Sequence, residues 1–231
     1  MSSPFSVPFL AKLQTEYQFV LASGSPRRQD ILRNLDIDFE VVVSEFPENL
    51  DKSQFADPGD YVSENAKLKA LDVYHRLRKR ETDQPYLIIG ADTVVYADQT
   101  ILEKPRDDEE ALAALRSYGR QPHQVITAIC LLGTHPSTEP GQYFCYGAVE
   151  RTEVVFDPHI PDEALQAYVN TGEPQDKAGS YGYQGLAAFF ISRINGDYYN
   201  VVSRANLILL FIYIYIYVCV CLLIFILIYR E

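Results

Sequence analysis

From Leu207 to Tyr229 the chain carries no charged residue, reading LILLFIYIYIYVCVCLLIFILIY. A run this apolar has no place on the surface of a small water-borne domain. It therefore splits the 231 residues into an acidic body and an apolar tail. About 20 apolar residues cross the hydrocarbon core of a bilayer. The run is long enough for a C-terminal membrane anchor over 207–229, with Arg230 and Glu231 beyond it. Its codons offer a second origin. Tyr-Ile-Tyr-Ile-Tyr-Val-Cys-Val-Cys is what TA and TG dinucleotide repeats encode, so read-through into an intron yields the same segment. Read-through is the favoured expectation. With either origin the tail is sticky in water and adds little to an argument about function.

The body is the part that can carry chemistry. The whole chain holds 31 Asp+Glu against 20 Lys+Arg, a net charge of −11. Phosphate-backbone affinity needs basic surface, so a nucleic-acid polymer is not the expected partner. A local basic cluster can still hold a small phosphate ligand. Val, Ile, Leu, Phe and Tyr are frequent enough in the body to build a core, which argues against disorder. Cys130 and Cys145 lie in the body, and Cys219 and Cys221 in the tail. No C-x-x-C or Cys/His zinc spacing occurs, and such sparse cysteine fits a reducing compartment, so a cytoplasmic location is expected. The leading residues MSSPFSVPFLAKLQ lack the basic and apolar regions of a secretory signal.

Along the body, strand and helix signals alternate. After a polar lead, Phe19–Ala22 reads as a short strand. Ser25 then suits a helix N-cap and Pro26 a first helical position, for a helix running to about Asn34. Phe39–Val43 is expected as a second strand and Ser44–Gly59 as a loop. Tyr61–Lys79 has Val62, Ala66, Ala70, Val73 and Leu77 at helical spacing. Leu87–Ala91 reads as a buried strand ending at Asp92-Thr93, followed by a hairpin around Ala97–Thr100. A helix is expected over Asp108–Tyr118, strands over Val125–Leu132 and Tyr143–Phe156, and a short helix over Pro161–Val169. His135–Gly141 reads as a loop. Asn195-Gly196 signals a last hairpin between Ala187–Ile194 and Tyr198–Val202, because Asn-Gly accepts the positive φ of a type I′ turn. The fold class is α/β, and the hairpins force antiparallel neighbours into a mixed sheet.

Four stretches could carry chemistry. Ser23-Gly24-Ser25-Pro26-Arg27-Arg28 sits between a strand and a helix, where backbone N–H groups and the dipole attract anions and two Arg add fixed charge. An ordinary capped helix with solvated Arg reads equally well. Gly90-Ala91-Asp92-Thr93 puts a carboxylate at an expected strand end, where it holds a divalent metal, orients an attacking water, or merely caps a turn. Lys104, fixed ahead of Pro105, is a phosphate contact or half of a surface pair. Asp176 to Gly185 places Gly179, Gly182 and Gly185 close together, so it is a ligand-hugging segment or a plain loop. Gln184 has the paired donor and acceptor that read a base edge. His75, His123, His135 and His159 are scattered without metal or triad spacing.

In order, LASGSPRRQDIL, IIGADTVV, ILEKPRDDEEA, HQVITAI, GEPQDKAGSYGYQG and FFISRINGDYYNVV resemble the Maf family of nucleoside triphosphate pyrophosphatases over about Val20–Val202. FEVVVSEFPENLDKSQFADPGDYVSENAKLKAL further resembles the Maf-like half of animal acetylserotonin O-methyltransferase-like proteins. The resemblance implies a Maf/inosine-triphosphatase-like fold of two lobes, with an elongated mixed β-sheet and a central cleft. It implies hydrolysis of dTTP or UTP to the monophosphate and pyrophosphate with a divalent metal, Mg²⁺ or Mn²⁺, and a homodimer. By motif position Asp92 is the catalytic carboxylate, and Arg27, Thr93 and Gln184 set specificity. Ser25, Arg28, Lys69, Lys104 and Lys177 hold phosphates, and Glu48 joins Asp92 as a metal ligand. Two alternatives accompany this reading: a nucleotide-binding module without turnover, and a 7-methyl-GTP pyrophosphatase. The resemblance breaks after Val202, where the family pattern continues to Gly-Leu-Pro-Leu and a last helix. The expected division is thus a shortened Maf-like domain, 1–202, and a tail, 203–231.

Overall fold

The computed structural model describes residues 8–80, 84–133 and 142–201. The apolar run, the expected boundary at 202/203 and the loop at 135–141 lie outside them. Among the described residues no helix is long and apolar enough to cross a membrane.

The elements in chain order are α1 (Pro8–Glu16), β1 (Gln18–Leu21), α2 (Pro26–Asn34), β2 (Phe39–Val41), α3 (Pro58–Leu77), β3 (Tyr86–Ala97), β4 (Thr100–Leu102), α4 (Asp108–Tyr118), β5 (His123–Gly133), β6 (Phe144–Phe156), α5 (Asp162–Val169), β7 (Ile191–Asn195) and α6 (Tyr198–Val201). Among the described residues the strands make one seven-stranded mixed sheet in the order β2-β1-β3-β5-β6-β7, with β4 paired to β3. β1 is parallel to β2 and β3; the remaining pairings are antiparallel.

One face of the sheet is covered by α3. Asp57 caps this helix, its side chain accepting from the Gly59 N–H, and Pro58 starts it. Val62, Ala66, Ala70, Val73 and Leu77 then pack on Val20, Ile88, Val94, Ile126, Ala128 and Leu132. The small side chains let helix and sheet approach closely. At Gly90 even a Cβ would stand 2.1 Å from the Ala66 carbonyl oxygen.

On the other face two helical groups stand apart. Leu10 and Leu13 of α1 and Leu32 of α2 pack over Leu87, Ile89, Ala91 and Leu131. Leu112 and Leu115 of α4 and Leu165 and Val169 of α5 pack over Val95, Val125 and Val154. Between these two clusters β3 passes from one group to the other through Asp92 and Thr93.

Four expectations change. The polar lead contains a helix, α1, because Leu10 and Leu13 give it a buried face. Ser25 is the N-cap of α2, but its side chain makes no cap bond. Asp92 and Thr93 do not end a strand. β3 runs unbroken through them, because β5 pairs with it continuously from Leu87 to Tyr96. Asn195-Gly196 makes no hairpin: Gly196 alone takes a positive φ, 135°, and residues 198–201 turn into α6. There the buried Asn200 amide donates to the Val125 carbonyl at 2.9 Å and to Thr152 Oγ1 at 3.1 Å, which ties the segment to β5 and β6 as a helical turn. The other hairpin forms as expected, with Asp98 and Gln99 at φ 48° and 58°, a type I′ signature.

Candidate active site

The site originates in a gap in the sheet. On one edge β3 is paired to β1 up to Ile89 and to β4 only from Val95. Between these points, among the described residues, that edge of β3 has no strand beside it, and Arg28 from the start of α2 reaches it together with Ser23. Arg28 replaces the missing strand. Its Nη1 donates to the Ala91 carbonyl at 2.9 Å and to Ser23 Oγ at 3.0 Å, and its Nη2 to Thr93 Oγ1 at 3.2 Å. Burial pushes the Arg28 guanidinium down from its ordinary value, and the nearby Asp92 opposes that. Thr93 is completed by Thr127 directly across the register, the two hydroxyls 3.1 Å apart.

Alternation along β3 sends Asp92 to the opposite face, toward α3. There Lys69 Nζ lies 2.7 Å from Asp92 Oδ1 and 2.5 Å from Glu48 Oε2. Lys69 and Asp92 are each only 9% exposed at the side chain, while Glu48 is 49% exposed. Glu48 holds its place at φ 49°, in the left-handed region that costs a non-glycine residue about 1 kcal/mol or more. Burial raises the Asp92 carboxyl above the ordinary carboxylate range, against the pull of Lys69 and then Arg28. The arrangement is two carboxylates converging on one cation. Hard oxygen donors of this kind suit Mg²⁺ or Mn²⁺, which bind through one or two carboxylates and fill their other positions with water and phosphate oxygen. Among the described residues no group of three His, Cys, Asp or Glu side chains converges. Asp92 and Glu48 thus fit a metal shared with a substrate, and do not make a closed protein cage.

The remaining expected residues gather in two other places. Arg27, beside Arg28 on α2, reaches the glycine segment: a Cβ at Gly182 would sit 3.8 Å from its Nη1. Lys177 lies against the same glycine, where a Cβ would be 2.6 Å from Lys177 Cε, so Gly182 leaves room for the lysine. Lys177 Nζ donates to the Glu173 carbonyl at 2.6 Å and pairs with Asp176 at 2.7 Å. Gln184 is exposed on the turn that follows, closed by Gly185 N–H donating to the Gly182 carbonyl at 3.0 Å. Ser25 is half-buried at the head of α2, with its N–H donating to Ser23 Oγ at 3.3 Å.

Lys104 lies apart from both groups. It is exposed and lines a cavity of about 670 Å³ with Lys52, Tyr96, Glu103, Arg106 and Ser180, a lining that excludes Asp92 and Lys69. Glu103 joins this cavity to the rest. Its carboxylate accepts from Tyr61 at 2.6 Å and pairs with Lys52 at 2.8 Å, and its carbonyl accepts from Gly179 N–H at 2.9 Å.

The structure therefore brings Asp92, Lys69 and Glu48 together on one face of β3 and Arg28 and Thr93 on the other. It places Arg27 with Lys177 near Gln184, and Lys104 in the adjoining cavity. Two participants escaped the sequence reading. Thr127 looks like any strand residue until β3–β5 register puts it opposite Thr93. Ser23 was visible within the Ser-Gly-Ser motif, yet its role as an acceptor for Arg28 depends on the fold.

Residues 18–203 match the family model described as Maf-like protein. The chain is 41% identical over 189 residues to a dTTP/UTP pyrophosphatase of Schizosaccharomyces pombe, covering 80% of this chain and 78% of that protein. It is 42% identical over 183 residues to a dTTP/UTP pyrophosphatase of Thermococcus kodakarensis, covering 79% and 88%. A human protein named probable bifunctional dTTP/UTP pyrophosphatase/methyltransferase is 42% identical over 197 residues, which are 84% of this chain and only 31% of that protein. With a matched model spanning most of its length and relatives of this similarity, the chain belongs to the Maf-like protein family.

Proposed function

We propose that the chain hydrolyses dTTP and UTP to the nucleoside monophosphate and pyrophosphate. The observation that carries the proposal is the buried Asp92–Lys69 pair, with Glu48 on the same ammonium, beneath a strand pinned by Arg28. The relatives named for this reaction support it.

Asp92 is the group that takes the proton from the attacking water. Burial raises its affinity for a proton, which makes it the stronger base, while Lys69 and then Arg28 oppose that rise. A divalent cation held by Asp92 and Glu48 would neutralise triphosphate charge and acidify a bound water. Arg28, Lys177 and Lys104 supply positive charge along a triphosphate, where preorganised cations stabilise the charge growing at the scissile phosphorus. Ser25 heads α2, whose N-terminus favours an anion. Arg27, Thr93 and Gln184 set specificity for the base, Gln184 through its paired donor and acceptor. Such local positive groups let an acidic protein take an anionic substrate.

The test is pyrophosphate release from a nucleotide panel, run on the full chain with Mg²⁺, with Mn²⁺ and with chelator. The expected result is turnover of dTTP and UTP above the purine nucleotides and 7-methyl-GTP, lost with chelator and restored by either metal. Saturable nucleotide binding without pyrophosphate under any of these conditions would establish the non-catalytic module instead.

A further inference from the structure

Cys130 on β5 and Cys145 on β6 take no part in the site described above, yet their sulfurs lie 2.8 Å apart. They are diagonal neighbours in the sheet. Cys130 is in register with Gly147, and Leu132 with Cys145, so both thiols emerge on the face covered by α3. Gly147 leaves the position opposite Cys130 open: the nearest atom to a Cβ built there is the Ile129 carbonyl oxygen, at 3.6 Å. A bonded pair of sulfurs stands about 2.05 Å apart, so closing this one takes less than an ångström of movement.

We propose that Cys130 and Cys145 form a reversible oxidation site in which a hydroperoxide installs an intramolecular disulfide. The two thiols are unequal, as a two-step oxidation requires. Cys145 is exposed and Cys130 is buried. A cavity of about 330 Å³ opens on the pair, lined also by Asp60, Ser63, Glu64 and Lys67 of α3, which is roomy enough for a small peroxide. The hydrogen bond with Cys130, then Lys67, brings the Cys145 thiol down to about 7, against burial and Glu64. The same bond, then burial, keeps Cys130 protonated. Cys145 is therefore the nucleophile and Cys130 the resolving thiol.

In the first step the Cys145 thiolate attacks one peroxide oxygen, the O–O bond breaks, and the departing hydroxide takes a proton to leave as water. Cys145 becomes a sulfenic acid. In the second step Cys130 sulfur attacks the Cys145 sulfur; the S–O bond breaks, and hydroxide leaves with the Cys130 proton as a second water. Two thiols have lost two electrons and one hydrogen peroxide has gained them.

The experiment treats the reduced full chain with hydrogen peroxide near pH 7.4, blocks free thiols with iodoacetamide, and maps peptides without reductant. A linked Cys130–Cys145 peptide pair, two hydrogen atoms lighter than the separate peptides and released by dithiothreitol, is expected within single molecules. Cys130→Ser should accumulate a Cys145 sulfenic acid that dimedone traps. Cys145→Ser should slow loss of alkylatable Cys130 at least about tenfold, the difference between a thiolate nucleophile and a buried thiol. Both cysteines alkylated as fully after peroxide as before would overturn the proposal. So would links of Cys145 only to Cys219, to Cys221 or to a second chain. The wild-type map decides by itself, so a variant that fails to fold does not weaken the test.

Discussion

Lys69 is the residue on which the buried charge balance rests. It is the counter-ion that Asp92 touches inside the fold, and it carries Glu48 as well. Removing one partner of a buried pair leaves the other uncompensated, at about 3 kcal/mol or more. Lys69→Met is expected to lower unfolding free energy in urea by about that amount. A variant as stable as the wild type would show that Asp92 is stabilised by something else. Asp92 was visible in the sequence as a carboxylate that serves a site or merely caps a turn, its catalytic role coming only with the family resemblance. Its partner was not, because nothing local joins positions 69 and 92; Lys69 entered only through resemblance to a family. The same holds for Thr127, whose meaning depends on standing across from Thr93. Arg28 was expected on phosphate, and the fold adds a role: it supplies donors where the sheet lacks a strand.

At the level of elements, the contact between α3 and β3 sets the depth of the site. Gly90 permits it, because a side chain there would collide with backbone and not with a flexible tip. Gly90→Ala should therefore push α3 outward, at about 1–3 kcal/mol, the usual cost of overpacking. Because α3 carries Lys69, activity should fall together with thermal stability; an unchanged melting temperature would contradict this packing. Helices α2 to α5 were legible because apolar positions recur at helical spacing, as along α3, and because Ser25-Pro26 marks the start of α2; α3 begins three residues before the expected Tyr61, since Asp57 and Pro58, placed in the preceding loop by the sequence, cap and start it. β3 was cut short in the sequence reading because Asp92-Thr93 interrupts its apolar run. The strand continues because the pairing with β5, a long-range property, supports it. Asn195-Gly196 misled for a related reason: the local turn preference lost to the buried hydrogen bonds of Asn200.

For the molecule as a whole, pH couples stability to the packing around the glycine segment. His123 is buried, stacked on Tyr118 with ring centroids 3.9 Å apart, and its Nε2 lies 2.7 Å from the Tyr181 hydroxyl. Tyr118 in turn donates to the Gly179 carbonyl at 2.8 Å, so the cluster holds the segment that carries Lys177 and Gln184. Burial drives the imidazole from 6.5 down to about 3. Between those two values the unfolded chain binds the additional proton, so this contribution to stability is present above pH 6.5 and is lost as pH falls toward 3. From pH 7 to pH 5 the wild type should lose about 2 kcal/mol more than His123→Asn in urea unfolding, at roughly 1.4 kcal/mol per pH unit below 6.5. Equal losses would show that His123 is not held neutral. The central claim is chemical, that Asp92 activates the water that splits the triphosphate. Pyrophosphate release from dTTP by Asp92→Asn, set beside dTTP affinity measured by calorimetry on the same protein, tests it most directly. The expected result is a turnover loss of at least about 10²-fold, with nucleotide binding retained. Turnover by Asp92→Asn at the wild-type rate would contradict it.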